Sequence, residues 1–188
     1  MKILIVSQTE KTAKAICDLV KKANSEACPF FCFSEAIARG MVLDEYYDLV
    51  IINSPLLDTN GFDLAHMIAT TTQTQVLIIV KEEYFQFATT ELQPVGVLAI
   101  TKPIIFQYFE QMLYLTNFIK LKTDSLKREN FKLQNKLEEA RIITKAKCLL
   151  VRTRNCSEEE AHHLLEKSAM NNRLSLKEVA MALLRRES

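Results

Sequence analysis

Five basic side chains and no acidic one lie between Ala140 and Ser157, interleaved with apolar residues at helical spacing. At about 100° per residue, the apolar members share one face of a helix. They are Ile142, Ile143, Ala146, Leu149 and Leu150. A first basic edge of that face holds Arg141, Lys145 and Arg152, and a second holds Lys147 and Arg154. Basic residues without any acidic neighbour predict a surface that binds a polyanion. The alternative is an ordinary soluble helix whose long basic side chains cover the edge of its own core.

Two capping boxes follow the basic stretch. Ser157 with Glu160, and Ser175 with Glu178, have the Ser-x-x-Glu pattern in which cap and third residue satisfy each other's backbone N–H groups. Apolar residues recur at helical spacing after each box, and Asn171 and Asn172 can end the first of these helices. The C-terminal third is therefore predicted to form three helices, with the basic residues on the first.

These residues resemble the ANTAR module, the RNA-binding domain of AmiR/NasR-type transcription antiterminators. The resemblance rests on Arg141-Ile142-Ile143, Ala146-Lys147, Ser157–Ala161, Ala169-Met170 and Val179-Ala180. Cys148 departs from the usual Gly of the family, and Thr144 from a common acidic residue. The resemblance implies a three-helix RNA-binding domain over residues 133–188. Its expected RNA-binding residues are Arg141, Lys145, Ala146, Lys147, Arg152 and Arg154, with Ala146 and Lys147 expected at the RNA loop.

Charge divides the chain into two parts. Residues 1–119 hold 8 Lys and Arg against 13 Asp and Glu, whereas residues 120–188 hold 16 against 10. The corresponding net charges are −5 and +6, which together give the +1 of the whole chain. Parts of opposite charge indicate different partners, and the acidic part is a poor candidate for nucleic-acid binding.

The acidic part alternates apolar runs with helical patterns. The runs are rich in β-branched residues, as in strands buried on both faces of a parallel sheet. They are Lys2–Ser7, Asp48–Asn53, Gln75–Val80 and Gly96–Thr101, with Pro29–Phe33 as a weaker strand. Helices are predicted at Thr9–Ala23, Ser34–Leu43, Gly61–Thr70 and Glu83–Leu92. This order predicts an α/β fold with a doubly wound five-stranded parallel sheet and functional groups at the carboxyl ends of its strands.

The layout resembles the receiver domain of two-component response regulators, over residues 1–120. That resemblance implies an acidic pair after the first strand, an acceptor Asp after the third, a hydroxyl residue after the fourth and Lys-Pro after the fifth. The positions are occupied by Ser7 with Gln8, Asn53, Val80 and Lys102-Pro103, so that only the last one fits. Asn has no nucleophilic carboxylate oxygen and Val has no hydroxyl group. The sequence therefore predicts a pseudo-receiver with a degenerate phosphorylation site.

Three residues near this site have a competing interpretation. Asp58 could serve as a substitute acceptor, but in a loop with Asn60 and Gly61 a turn role is more common. Lys102 is expected to hydrogen-bond Asn53 across the strand ends, with a surface position as the alternative. The receiver resemblance also implies a cis peptide before Pro103.

A helical stretch, 104–140, connects the two parts and contains no Gly or Pro after its start. Apolar residues recur every seven positions at Met112, Ile119, Leu126, Leu133 and Ala140. Such a seam, with Asn at one intervening core position, is typical of a parallel dimeric coiled coil. The expected dimer interface is Met112, Ile119, Leu126, Asn130, Leu133 and Leu137. The alternative is a helix that packs on its own receiver-like domain, because most of the other core positions are polar.

Taken with these patterns, the resemblance to ANTAR regulators implies a cytoplasmic, homodimeric regulator that binds hairpin loops in nascent leader RNA and prevents transcription termination. We expect no cofactor, metal site, membrane segment or enzymatic activity; Cys28 and Cys32 have no second Cys or His pair nearby to complete a zinc site. One alternative is a signalling adaptor whose pseudo-receiver binds a sensor or ligand-binding protein. The other is a DNA-binding response regulator, which is disfavoured because the basic helix comes first rather than following another helix.

Overall fold

The computed structural model describes residues 1–186, so the last two residues of the predicted domain 133–188 lie outside the described residues. The chain divides into two compact units, Met1–Thr123 and Asp124–Ser188. The first contains five parallel strands in the order β2-β1-β3-β4-β5. They are β1 (Lys2–Ser7), β2 (Cys28–Cys32), β3 (Leu49–Asn53), β4 (Gln75–Val80) and β5 (Leu98–Thr101). The predicted doubly wound fold is confirmed.

Helices cover both faces of this sheet. They are α1 (Glu10–Ala23), α2 (Glu35–Asp44), α3 (Phe62–Thr71), α4 (Glu82–Leu92) and the start of α5 (Phe106–Arg154). Because successive side chains of a strand point to opposite faces, β1 supplies Ile3 and Ile5 to the core under α1 and α5. Its Leu4 and Val6 enter the core under α2, α3 and α4. This double burial explains why the strands read as continuous apolar runs.

The start of β5 differs from the prediction by two residues. A short 3₁₀ turn, Gln93–Val95, ends at Gly96, whose φ of 88° lies in the left-handed region. Val97 donates its N–H to the Leu92 carbonyl, so the chain joins the sheet only at Leu98. Glycine accepts this conformation without the steric penalty that a side chain would bring.

Helix α5 has 49 residues and no break at the end of the predicted linker. It extends to Arg154, and α6 (Glu158–Asn172) and α7 (Leu176–Arg186) follow it. In the second unit, these helices enclose a small core centred on Ala146, Leu150, Ala161, Leu165 and Ala180. None of the helices within residues 1–186 has the length and apolar character needed to cross a membrane.

Candidate nucleic-acid interface and strand-end site

Most of the predicted RNA-binding residues lie exposed on the last four turns of α5. The first basic edge, Arg141, Lys145 and Arg152, is exposed along its whole length, and Arg154 is exposed on the second edge. None of these four side chains makes an ion pair with another residue in the part of the chain that is described. Unneutralised charge at the surface is available to phosphate groups.

Ala146 lies in a different environment from the one expected for an RNA contact. Its side chain is 0% exposed and packs in the same core as Ala161 and Ala180, which are also 0% exposed. Three small residues allow the three helices to approach closely. The burial of its side chain gives Ala146 a packing role, and a contact between this position and an RNA loop stays a prediction.

This packing role leads to a stability prediction. Ala146→Leu adds three carbon atoms to a side chain that is 0% exposed in this core, and we expect the free energy of unfolding of the second unit to fall by about 1–3 kcal/mol. Chemical denaturation of the full chain, followed by a probe in residues 124–186, would measure the change. Ala182→Leu, which makes the same change at an exposed position of α7, is the control. Equal stability of the two variants would contradict the assignment.

Lys147 is the basic residue with an ionic partner. Its Nζ lies 2.5 Å from Oε1 of Glu158, the first residue of α6, and the Lys147 side chain is only 19% exposed. The hydrogen bond from Lys147 holds the pKa of Glu158 below its ordinary value. This pair joins α5 to α6 and neutralises part of the second basic edge.

Both predicted capping boxes position the helices around the basic stretch. Ser157 Oγ accepts from Glu160 N–H while the Glu160 carboxylate accepts from Ser157 N–H at 2.8 Å. Ser175 and Glu178 make the same reciprocal pair. Backbone N–H groups at the helix starts are thereby satisfied, which fixes where α6 and α7 begin.

The proposed coiled-coil residues fall into two groups. Met112 and Ile119 are partly buried in the first unit. Further along α5, every residue from 125 to 138 is exposed. In that stretch Leu126, Leu133 and Leu137 are 65%, 59% and 55% exposed. These three leucines therefore do not pack on the chain's own core.

At the strand ends, two of the residues predicted to form a degenerate phosphorylation site belong to a chain of neutral hydrogen bonds. Asn53 Nδ2 donates to Ser7 Oγ at 2.9 Å, and Ser7 Oγ lies 2.6 Å from Thr12 Oγ1. The Asn53 Oδ1 atom is buried and has no hydrogen-bond partner among residues 1–186. Gln8 is exposed and Val80 is fully buried, so neither contributes a polar group to this chain.

Lys102 reaches the end of β3 but contacts a different atom from the one expected. Its Nζ donates to the Ser54 carbonyl oxygen at 2.6 Å rather than to the Asn53 side chain. Partial burial, with the positive charge of Lys81 in addition, lowers the pKa of Lys102. The peptide bonds before Pro103 and Pro55 are both cis.

The Asp58 carboxylate is hydrogen-bonded to the first residue of α2. Its two carboxylate oxygens accept the Glu35 N–H, each at 3.0 Å, at the start of α2. Backbone hydrogen bonds, that of Glu35 first, hold the pKa of Asp58 below its ordinary value. Thr59 joins the same contact by donating to Glu35 Oε2 at 2.6 Å. Asp58 thus caps a helix, a longer-range role than the local turn that the sequence indicates.

The three histidines lie on two helices, α3 and α6. His66 is exposed on α3. His162 and His163 both approach Glu166, at 3.3 and 3.1 Å. Within residues 1–186, no group of three or more His, Cys, Asp or Glu side chains is arranged to hold a metal ion.

Several residues that complete these sites carry no signal in the sequence. Glu158 is one member of a glutamate run, and only the return of α6 brings it to Lys147. Thr12 and Ser54 contact Ser7 and Lys102 through the turn geometry after β1 and β3. Such partners follow from tertiary packing rather than from residue spacing.

Comparison with known proteins identifies the second unit. Residues 132–184 match the family model for the ANTAR domain. The match covers the basic end of α5, both capped helices and their common core. A search of curated proteins found no match.

Solved structures identify the fold of the first unit. The HemR receiver domain from Leptospira biflexa is 22% identical, with a TM-score of 0.53, over 61% of this chain and 92% of its own. A two-component response regulator from Clostridium difficile is 17% identical, with a TM-score of 0.54, over 62% and 94%. A fusion containing the trimeric coiled coil of yeast Spc42 is 17% identical, with a TM-score of 0.59, over 77% and 97%. At these identities the likeness defines the fold alone.

The chain thus joins a receiver-type fold to an ANTAR domain.

Proposed function

We propose that this protein is a cytoplasmic RNA-binding regulator that prevents transcription termination by binding hairpin loops in nascent leader RNA. The observation that carries the proposal is the ANTAR match over helices that present four exposed basic side chains without ionic partners. RNA loops suit such a surface because their bases are unstacked and their phosphates are accessible. Binding would hold the leader in hairpins that exclude the terminator.

The first basic edge is the proposed contact with the RNA backbone. Arg141, Lys145 and Arg152 fall within about 40° of one another around α5. No acidic side chain forms an ion pair with them in the described part of the chain. On the second edge, by contrast, Glu158 neutralises Lys147. Lys147 therefore contributes less to phosphate binding than its position in the sequence suggests, and Lys147→Ala should alter RNA affinity less than Lys145→Ala.

The proposal includes a homodimer formed through α5. A solvated leucine side chain gains about 1.5–3 kcal/mol on full burial, and three leucines are exposed between residues 125 and 138. They share a face with Asn130, whose pairing across a coiled coil would set the register. Two joined ANTAR domains would bind paired hairpins more tightly than one, because the second contact becomes intramolecular.

We further propose that the receiver-type domain is a pseudo-receiver whose input comes from a protein partner, such as a sensor or a ligand-binding protein. Supporting this, Ser7 and Asn53 hydrogen-bond to each other where the receiver resemblance implies metal-binding and acceptor carboxylates. An amide cannot form the acyl phosphate that a carboxylate forms.

The pseudo-receiver proposal predicts the absence of phosphorylation. Incubation with acetyl phosphate and Mg²⁺ should leave the protein unlabelled, because Asn53 occupies the acceptor position and residues 1–186 contain no group of three or more His, Cys, Asp or Glu side chains arranged to hold a metal ion. A receiver domain with its acceptor Asp, treated in parallel, is the positive control. Intact-mass analysis checks the result; a phosphate on any carboxylate of residues 1–120 would overturn the proposal.

Selection from a pool of hairpin RNAs with randomised loops tests the RNA-binding function. The full-length protein should enrich hairpins that share a loop sequence, and the enriched RNA should shift in a gel. Enrichment of no sequence would contradict the proposal. Binding to duplex DNA instead would favour the DNA-binding alternative.

A further inference from the structure

A cleft of about 290 Å³ lies among α5, α6 and α7 in the second unit. Its floor is apolar, with Leu150, Leu165 and Val179 each less than 9% exposed. Its rim is polar, and the rim residues are Arg154, Lys167, Ser168, Asn171 and Asn172. The cleft thus combines a buried apolar floor with a largely polar rim, and polar groups placed around an apolar floor can orient a small ligand.

The rim is positively charged and supplies amide groups. Arg154 and Lys167 have no ion pair with a described residue, and no acidic side chain lines the cleft. Asn172 Nδ2 donates to the Ser168 carbonyl at 2.8 Å, which holds that side chain in place. Asn171 is exposed, and its side-chain amide makes no hydrogen bond with the other described residues. An amide offers both donor and acceptor atoms, as the edge of a nucleobase requires.

We propose that this cleft binds one unstacked nucleotide of the RNA loop, an inference that rests on the proposed RNA-binding function. The base would lie on the floor formed by Leu150, Leu165 and Val179, with its edge toward the asparagine amides. Arg154 and Lys167 would hold the adjacent phosphates. Bases in single-stranded loops are splayed out and can present both their faces and their edges in this way.

The composition of the cleft favours a nucleotide over other occupants. The apolar floor would contribute nothing to the binding of a free inorganic anion. Two cationic side chains without a counter-charge would contribute nothing to the binding of an apolar ligand. A nucleotide combines a flat, neutral base with a negatively charged phosphate, and so complements both parts. The cleft also accounts for Arg154, which lies on the edge of α5 opposite Arg141 and Lys145.

The position of the cleft allows one RNA strand to use both surfaces. Arg152 belongs to the first basic edge and Arg154 to the cleft rim, and they are two residues apart in the last turn of α5. These two side chains lie on opposite edges of α5, so a strand whose phosphates follow the first basic edge would cross the exposed side of the helix at its last turn to reach the cleft. The basic edge would supply affinity that is independent of sequence, and the cleft would distinguish one loop base from another.

The double variant Lys167→Ala with Asn171→Ala tests this inference in the full-length protein. The probe is the hairpin enriched by the selection above, together with a set in which each loop position in turn lacks its base. The control is Lys177→Ala with Asn135→Ala, which removes the same two types of side chain outside the cleft lining. All affinities are measured by fluorescence anisotropy at one salt concentration, and circular dichroism verifies that the variants are folded.

We expect the wild type and the control to lose roughly tenfold in affinity when one particular loop base is removed, within the range of a single base contact. The cleft variant should bind the intact hairpin about tenfold more weakly and lose nothing further when that same base is absent. The cleft assignment would be overturned if, at every loop position, the loss from the double substitution and the loss from base removal were independent and multiplied. It would also be overturned if the variant bound the intact hairpin as tightly as the wild type. Either result would leave RNA binding intact. Failure of the wild type to bind any hairpin would overturn the proposed function and the cleft assignment together.

Discussion

Replacing Arg141, Lys145 and Arg152 together by alanine is expected to weaken hairpin binding about 100-fold at low salt. Each side chain would lose roughly one charge-assisted contact with a phosphate, worth about 1 kcal/mol net, and three such losses amount to somewhat more than two factors of ten. The three residues are exposed, so the substitutions remove charge without disturbing the core. The variant should therefore remain folded.

The salt dependence distinguishes loss of phosphate contacts from a general defect. Each phosphate contact adds about 0.7 to the negative slope of log affinity against log salt for single strands, so removal of three should flatten the slope by about two units. Lys11, Lys14 and Lys21 on α1, replaced together by alanine, make the matched control because the same three charges are lost from the other unit. A triple variant with wild-type affinity and slope would show that the first basic edge is not the RNA surface.

Leu126→Lys combined with Leu133→Lys is expected to convert a dimer into a monomer. In a coiled coil each helix would bury two of the new charges, and the desolvation of an unpaired charge costs several kcal/mol. We expect the dissociation constant to rise by at least about three orders of magnitude, corresponding to roughly 4 kcal/mol. Light scattering of the wild type and variant at micromolar concentration measures this change.

The same helix provides a matched control. Leu121→Lys with Phe131→Lys makes equivalent changes at positions that are 61% and 65% exposed but lie on the opposite side of α5 from the seam. That variant should retain the mass of the wild type. A monomeric wild type would contradict the dimer. A control that dissociates as readily as the seam variant would contradict the assignment of Leu126 and Leu133 to the interface. A mass of three chains would indicate a trimer and replace the proposed two-fold pairing.

The fold could be predicted because the local pattern of residues within each strand indicates that strand. β1, β3 and β4 are buried on both faces, so their apolar runs are continuous and unambiguous. β2 is at the edge of the sheet, where Phe30 and Phe31 are 44% and 41% exposed, and its sequence is accordingly the weakest strand signal. The capping boxes are equally local, because all the atoms they join lie within four consecutive residues.

The sites were harder to predict because they depend on contacts between distant segments. Helical periodicity places Ala146 near the basic edges, but only the packing of α6 and α7 shows that it is buried. The same packing brings Glu158 to Lys147 and forms the cleft beside Lys167, a residue whose sequence context indicates only a solvated helix surface. Lys102 is likewise directed to the Ser54 carbonyl by the path of the chain after β3.

Binding of the full-length wild type to its selected hairpin RNA, compared with duplex DNA of the same stem sequence, tests the central claim most directly. Filter binding at several salt concentrations should give tight, loop-dependent RNA affinity with a slope of about −2 to −4, as expected for three to five phosphate contacts. The duplex should bind far more weakly, because it offers no unstacked loop base to the ANTAR domain. Equal affinity for the two, or no measurable affinity for any hairpin at low salt, would contradict the account.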